Sequence, residues 1–503
     1  MSYGKLFKIE IFGESHGPEI GVTIEGLPAG FEPDMEELRA FLKRRAPGRN
    51  AWSSARKEPD VPEFTEGLED GVFTGGRVTA VIKNTDVRKA DYDRVGSVPR
   101  PGHADLGEYF KYGRISSGGG RFSGRMTAPL CVAGGLCKQL LSREGVEIIS
   151  RVASVGEVED EAPLTASTAE KDFPAVSGEA AERMKLRISY ARSAGDSVGG
   201  VAECKVLGVP AGLGGALFEG IESRIAEIVF AIPAVKGVEF GSGFNAARMS
   251  GSQNNDPIVL RDEKIVTATN NAGGILGGIT DGMPLVFRTA FKPTPSISLQ
   301  QRSVYLESMA TTTLELTGRH DPCIVPRAVP VLEAAAAIAL YDALLQRREE
   351  LALENEVFAQ SKDDLAQSEP ASEGPAAGNT EKASYPAEAA AYPAEKAPAA
   401  EKTTENRAEK PLDLGECRAR LDEIDPMITE LFAERLRISA DVARFKAANG
   451  LPTYDPAREA EKLDKVASQL PEELAPFGRE LFKAVMDIGK EYQKKVRSEE
   501  KNG

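Results

Sequence analysis

Apolar positions follow two different rhythms along the chain. Up to about Arg348, short runs rich in β-formers, among them Leu6–Phe12, Arg77–Lys83 and Leu285–Phe291, are interleaved with amphipathic helical stretches. One helix is predicted over Asp34–Arg45. Asp34 can cap it, Glu37 completes a capping box, Leu38, Phe41 and Leu42 form the apolar stripe, and Pro47-Gly48 stop it. Others are predicted near Arg125–Arg143 and Val329–Arg348. Strands and helices do not alternate regularly, so the pattern favours an α+β architecture over a doubly wound sheet.

From Asp413 the rhythm becomes purely helical. Leu414, Cys417, Leu421, Ile424, Ile428, Leu431, Arg435, Ile438, Val442 and Phe445 fall alternately three and four apart, which is a heptad seam. One long helix should end at Asn449-Gly450 and a second open at Asp455-Pro456. Leu474, Phe477, Leu481, Val485, Ile488 and Tyr492 mark a third. Pro426 should kink the first.

Between these parts, residues 351–412 shift to Ala, Glu, Pro, Lys, Ser and Thr, with the near-repeats Tyr385-Pro386-Ala387-Glu388 and Tyr392-Pro393-Ala394-Glu395. Such a segment buries too little apolar surface to offset chain entropy, so it reads as a disordered linker spanning on the order of 40 Å. The expected division is therefore 1–350 folded, 351–412 linker and 413–503 helical.

Composition narrows the function. The 503 residues carry 62 Lys plus Arg against 77 Asp plus Glu, a net charge of -15. An acidic chain argues against general binding of nucleic acid or anionic membrane, because its long-range field repels polyanions. No run of about 18 apolar residues appears, and the N-terminus lacks a charged region followed by an apolar one, so a cytoplasmic protein is expected. Five scattered cysteines without a C-x-x-C pair suit a reducing compartment.

The chain has three histidines, each in a short Gly- or Pro-containing polar context: Gly13-Glu14-Ser15-His16-Gly17, Arg100-Pro101-Gly102-His103-Ala104-Asp105 and Gly318-Arg319-His320-Asp321-Pro322. Histidine titrates near neutral pH, and three such loop positions out of three point to proton transfer. None has the short spacing that anchors catalytic zinc, so no metal is expected. Around the first two crowd Lys43, Arg44, Arg45, Arg49, Arg56, Arg100, Arg114, Arg121 and Arg125. Arginine grips carboxylate and phosphate through paired hydrogen bonds. Two glycine-rich runs, Ser116–Arg125 and Asn270–Gly278, match neither the P-loop nor the dinucleotide fingerprint, but would let backbone N–H groups approach phosphate or a flat ring. Together these features indicate an enzyme for a small, multiply anionic substrate.

In order, GESHG, RPGHAD, GGGRFSGR, NNAGGILGGI, KPTPSIS and GRHDPC closely resemble the motifs of chorismate synthase, over essentially all of residues 1–350. The resemblance implies a β-α-β sandwich and a 1,4-anti elimination of phosphate from 5-enolpyruvylshikimate 3-phosphate. It also implies reduced FMN, with NADPH or an external flavin reductase as the source of reduction. On this resemblance Arg44, Arg45, Arg49 and Arg125 would hold the substrate, His103 would protonate the departing phosphate, His16 would protonate the flavin, and Asp321 would act near its N5. Flavin contacts would map to Arg121, Phe122, Ser123, Ala234, Gly277, Lys292, Pro293, Thr294, Pro295, Ser296 and Arg319.

In the helical tail, Arg435 occupies a seam position, where an unpaired cation carries a desolvation cost of several kcal/mol, so something anionic should meet it. Lys446 lies about three turns further along the same face. Residues 413–496 are similar to the all-helical class of chorismate mutase. That resemblance implies a cofactor-free Claisen rearrangement of chorismate to prephenate. Lys446 and Gln493 would serve the ether oxygen. Arg418, Arg435 and Arg458 would hold the carboxylates, with Asp455 and Glu459 beside them. Gly489 stands where that family commonly has Ser. A homo-oligomer is expected, tetrameric through the first part with dimer contacts through the second. The competing reading keeps the synthase and makes the tail a regulatory ligand-binding or oligomerisation module.

Overall fold

The computed structural model describes residues 1–48, 50, 52, 58–85, 97–261, 263–316 and 321–367. In the C-terminal part it describes 425, 429, 432, 435–437, 439, 440, 442–444, 446, 462–464, 467, 468 and 473–502. The chain divides into two compact units, Met1–Ala397 and Pro398–Gly503.

Two antiparallel five-stranded sheets frame the first unit. One runs in the order β1 (Ser2–Tyr3), β2 (Lys8–Gly13), β3 (Glu19–Glu25), β5 (Val78–Lys83), β4 (Glu63–Glu66). The other runs β9 (Val235–Phe240), β10 (Leu285–Phe291), β8 (Gly200–Leu207), β6 (Glu147–Val155), β7 (Val158–Glu159). Between them lie α1 (Met35–Arg45), α3 (Thr127–Arg143) and α6 (Val325–Gln367). α2 (Asp105–Tyr112), α4 (Gly178–Ser193) and α5 (Ile221–Phe230) complete the helices named here.

The layering follows from residue size. Ala334 through Ala337 of α6 are fully buried, and a Cβ on Gly134 of α3 would lie 2.3 Å from that of Ala334, so small residues let the two helices approach closely. On the second sheet, Ala202, Cys204 and Val206 of β8 alternate inward beside Phe287 of β10 and pack on α6. By length and composition α6 could cross a bilayer, yet it is the buried centre of this fold.

Asp34 caps α1 by accepting from the Glu36 and Glu37 N–H groups, both at 2.9 Å. The expected capping box is only half formed: the Asp34 N–H donates to Gln139 Oε1 of α3 at 2.9 Å, so the cap is tied to the neighbouring helix. α6 continues through Gln367, into the stretch expected as linker from 351. Its Glu, Ala, Leu and Gln residues favour helix, and Arg347 pairs with Glu350 at 3.2 Å and Glu354 at 3.5 Å.

In the second unit, the described residues between 425 and 446 and between 462 and 468 are helical, and α7 spans Ala475–Asn502. Along α7 the buried positions are Gly478, Met486 and Gly489, whereas Phe477, Leu481, Ile488 and Tyr492 of the expected apolar stripe are exposed, Phe477 by 68 %. Pro426 lies outside the described residues.

Candidate active site

Three successive glycines, Gly118, Gly119 and Gly120, have φ of 62°, 84° and 48°. This left-handed run lays bare backbone against two histidine rings. A Cβ on Gly118 would fall 1.8 Å from His16 Cε1, and one on Gly119 would fall 3.0 Å from His103 Cε1 and 3.1 Å from its Nε2. Glycine is required here because any side chain would displace a histidine.

Each ring is held by its Nδ1. His103 Nδ1 lies 2.5 Å from Asp105 Oδ1, and Arg100 bonds the same carboxylate through Nε and Nη2, both at 2.7 Å, and through its backbone N–H at 2.9 Å. Burial opposes ionisation of Asp105, but the hydrogen bonds from Arg100 and His103 outweigh it and hold the carboxyl well below the usual range. An ionised carboxylate only accepts, so Nδ1 carries the proton, and the 3.1 Å approach of Arg100 Nη2 to that nitrogen is a contact rather than a hydrogen bond. At the other ring, Ser15 Oγ lies 3.0 Å from His16 Nδ1 and 3.2 Å from the Gly118 carbonyl oxygen, so one hydroxyl bridges the ring and the glycine run.

Beside them sits the Lys292–Ser296 segment. Lys292 Nζ donates to the Gly102 carbonyl and its N–H to Ala234 O at 2.9 Å; Ala234 itself has φ 75°. Burial and then Lys236 push the Lys292 amine below its usual range. Pro293 packs on Gly199, Pro295 on Gly102, and Arg100 Nη1 reaches Ser296 Oγ at 3.4 Å. Thr294 Oγ1 donates to the Asp321 carbonyl at 2.7 Å, and Arg327 pairs with the Asp321 carboxylate while its Nε bonds Arg45 O at 3.0 Å.

Arg45 and Arg125, each with a side chain 3 % exposed, share Asp60 between them, Arg45 Nη1 at 2.5 Å from Oδ2 and Arg125 Nη1 on Oδ1. Burial raises the Asp60 carboxyl, but the two guanidiniums override it and hold the group below the usual range. The same pairing supports Asp60 at φ 53°, a backbone state costly for a side chain. Arg125 Nε bonds Asn84 Oδ1 at 3.0 Å, and Asn84 in turn donates to Glu14 O and Gly17 O in the His16 loop. Arg125 Nη2 is buried without a hydrogen-bond acceptor, its nearest carboxylate oxygen being Glu58 Oε2 at 3.6 Å. Such a donor suits an anion.

The other expected site residues have varied settings. Arg44, expected beside Arg45 at the substrate, turns into the helix layer and forms a bidentate pair with Glu333 at 2.8 and 2.5 Å, because successive helical residues face about 100° apart. Lys138 and Ser150 bond the same carboxylate, so Arg44 is part of the core. Arg121 is exposed, 3.6 Å from Glu14; Phe122 is exposed; and Ser123 accepts from Arg125 N. Gly277 lies on a hairpin turn whose bonds run to Leu213 and Ile221. Arg49 and Arg319 lie outside the described residues, as do Arg418, Asp455, Arg458 and Glu459. Arg100, expected in the band of substrate-gripping cations, instead holds Asp105, and Asp105, Asp60, Asn84 and Arg327 were not anticipated as site residues. Asp105 stands two positions after a candidate histidine and opens a helix, a usable signal; Asp60, Asn84 and Arg327 carry none.

The sequence profile of chorismate synthase matches residues 7–345. The chain belongs to the chorismate synthase family. Chorismate synthase of Thermococcus kodakarensis is 48% identical over 348 residues, covering 69% of this chain and 98% of the relative. That of Lancefieldella parvula is 43% identical over 364 residues, covering 68% and 96%. A crystal structure of chorismate synthase superposes with a TM-score of 0.53 at 31% identity, covering 68% of this chain and 93% of the other. The profile of chorismate mutase type II matches residues 417–494, so both enzyme domains are found on one chain. In that second domain Arg435 Nη1 donates to the Val485 carbonyl at 3.2 Å and has no carboxylate partner among the described residues. Lys446 and Gln493 are half-buried.

Proposed function

We propose that the chain is a bifunctional enzyme that eliminates phosphate from 5-enolpyruvylshikimate 3-phosphate to give chorismate and rearranges chorismate to prephenate. The observation that carries the first half is the pair of histidine rings, each anchored at Nδ1, that meet the bare backbone of Gly118 and Gly119. As an imidazolium, with Nδ1 donating to Asp105, His103 would carry a second proton at Nε2 for the departing phosphate, a contribution of about 10²–10⁴-fold, while Asp105 keeps the ring from turning. Arg125, with its buried acceptor-free Nη2, and Arg45 would bind the substrate anions.

The family's reduced FMN fits the residues present. Lys292 and Ser296 offer an amine and a hydroxyl with no carboxylate in the segment, a donor set for a phosphate-bearing acceptor ring. Arg121, Phe122 and Ser123 border the same glycine run. When bound, the reduced flavin would lend electron density as the C–O bond to phosphate breaks and regain it as the substrate's C–H proton is lost, so no net redox change results. His16 would hold its proton at Nε2 towards that group, and Arg327 would keep the Asp321 carboxylate in place. Flavin reduction is assigned to NADPH or to a separate reductase.

The second half rests on Arg435, a seam cation whose one bond among the described residues is to a carbonyl. A Claisen rearrangement needs no acid or base, only cations that grip two carboxylates and donors near the ether oxygen. Lys446 and Gln493 would serve the ether, with Arg418, Arg458, Asp455 and Glu459 completing the site. The exposed Phe477, Leu481 and Ile488 of α7 suit a dimer through this part, while exposed Phe218, Phe244 and Leu260 suit assembly through the first. We place the enzyme in the cytoplasm, free of nucleic acid and membrane.

Anaerobic incubation of the full chain with 5-enolpyruvylshikimate 3-phosphate and chemically reduced FMN tests the reading. Phosphate release with prephenate formation is expected. Phosphate with chorismate that only accumulates would turn the tail into a regulatory or assembly module.

A further inference from the structure

In the helical unit, Arg435 and Ser439 are four residues apart and share a helix face, with Lys446 two turns further on. Facing them on α7 is Gly489, buried, with Gln493 one turn beyond it. A Cβ placed on Gly489 would lie 3.4 Å from Arg435 Nη1 and 3.5 Å from Ser439 Oγ. Among the described residues, the missing side chain thus leaves a notch lined by a guanidinium and a hydroxyl.

Both donors have capacity to spare. Arg435 has five N–H donors and one hydrogen bond, to the Val485 carbonyl one turn before Gly489. Helical hydroxyls commonly bond back to their own helix, and Thr429 does so, to Asp425 O at 2.8 Å. The Ser439 hydroxyl makes no hydrogen bond among the described residues. Hydroxyl and guanidinium donors that converge on an unfilled, partly buried notch match one carboxylate group, whose two oxygens can accept from each.

We propose that Ser439 is a ligand-binding residue of the mutase site, donating its hydroxyl to the substrate carboxylate that Arg435 grips, in place of a donor that Gly489 lacks. The proposal rests on the mutase reading of the helical unit and deepens it. A hydroxyl grown from position 489 would enter the same notch from the opposite helix. Ser439 and a serine at 489 are therefore interchangeable sources of one donor.

The test uses the full chain with chorismate as probe, following prephenate formation and, by calorimetry, chorismate binding, with melting temperature as the fold control. Ser439→Ala should raise KM about tenfold with kcat within about twofold, since a hydrogen bond to a charged group is lost from ground and transition states alike. Adding Gly489→Ser to that variant should restore KM to within about threefold. An unchanged KM in Ser439→Ala, or a loss that Gly489→Ser does not rescue, overturns the role of Ser439. The parent reading fails separately: wild-type chain that neither binds nor converts chorismate removes the mutase assignment and this inference with it. Wild type that binds without turnover, with the same tenfold weakening and rescue in Kd, keeps Ser439 as a ligand contact.

Discussion

The two units treat their cations in opposite ways. In the first, buried and half-buried guanidiniums meet protein carboxylates: Arg44 meets Glu333, Arg45 and Arg125 meet Asp60, Arg100 meets Asp105, and Arg327 meets Asp321. In the second, Arg435 rests on a backbone carbonyl. The difference matches the chemistry proposed for each. A general acid must be held in one tautomer before substrate arrives, so its charges are completed internally. A cofactor-free rearrangement of a dianion works best when the substrate itself completes the charge.

That contrast can be broken most directly at the histidines. His103→Asn should lower phosphate release by about 10²–10⁴-fold with an unchanged melting temperature, measured with reduced FMN supplied. The stability side of the contrast lies at Glu333. Glu333→Gln strips the counter-charge from Arg44 and Lys138 and should cost about 3–5 kcal/mol in denaturant unfolding.

A pH series sharpens the same point. Burial raises the Glu333 carboxyl, but Lys138 and Arg44 outweigh it and bring the folded value to about 2, from an ordinary 4.5. Its folded value is depressed, so its contribution is whole above about pH 4.5 and fades as pH falls towards about 2. The wild type should lose stability steeply through that window, and Glu333→Gln should lose less of it there.

In the helical unit the expected sign reverses. Arg435→Ala should reduce conversion of chorismate by about 10²–10³-fold, the usual cost of removing one preorganised donor, while shifting stability by no more than about 0.5 kcal/mol. A large loss of stability instead would place Arg435 with the internally paired arginines of the first unit. The smallest effect is at Gly489, where a Cβ meets its neighbours at ordinary contact distance. Gly489→Ala should raise stability by about 0.5–1 kcal/mol in thermal or urea unfolding, as expected for alanine replacing glycine inside a helix.

What could be read from the sequence depended on whether a signal was local. The strands at Leu285–Phe291 and Val78–Lys83, the Asp34 cap and the helix of Arg125–Arg143 emerged close to their predicted bounds because propensity and capping act over a few residues. His16 and His103 were legible from their glycine contexts. Their convergence was not, since it depends on three left-handed glycines more than 100 positions from one of the rings it meets. Arg44 and Arg45 look equivalent in sequence, and only the position of α1 against α3 and α6 separates core from site. Asp60 and Arg327 gave no signal, because their roles arise from partners distant along the chain. The seam of α7 misled in another way: its apolar residues are outward in the single chain, and the buried face carries Gly478, Met486 and Gly489.

The most direct test of the central claim gives the full-length protein chorismate alone, without flavin, and follows prephenate. The account predicts saturable conversion that needs no cofactor and disappears in Arg435→Ala. Chorismate that stays unchanged in the presence of the wild-type chain would contradict it.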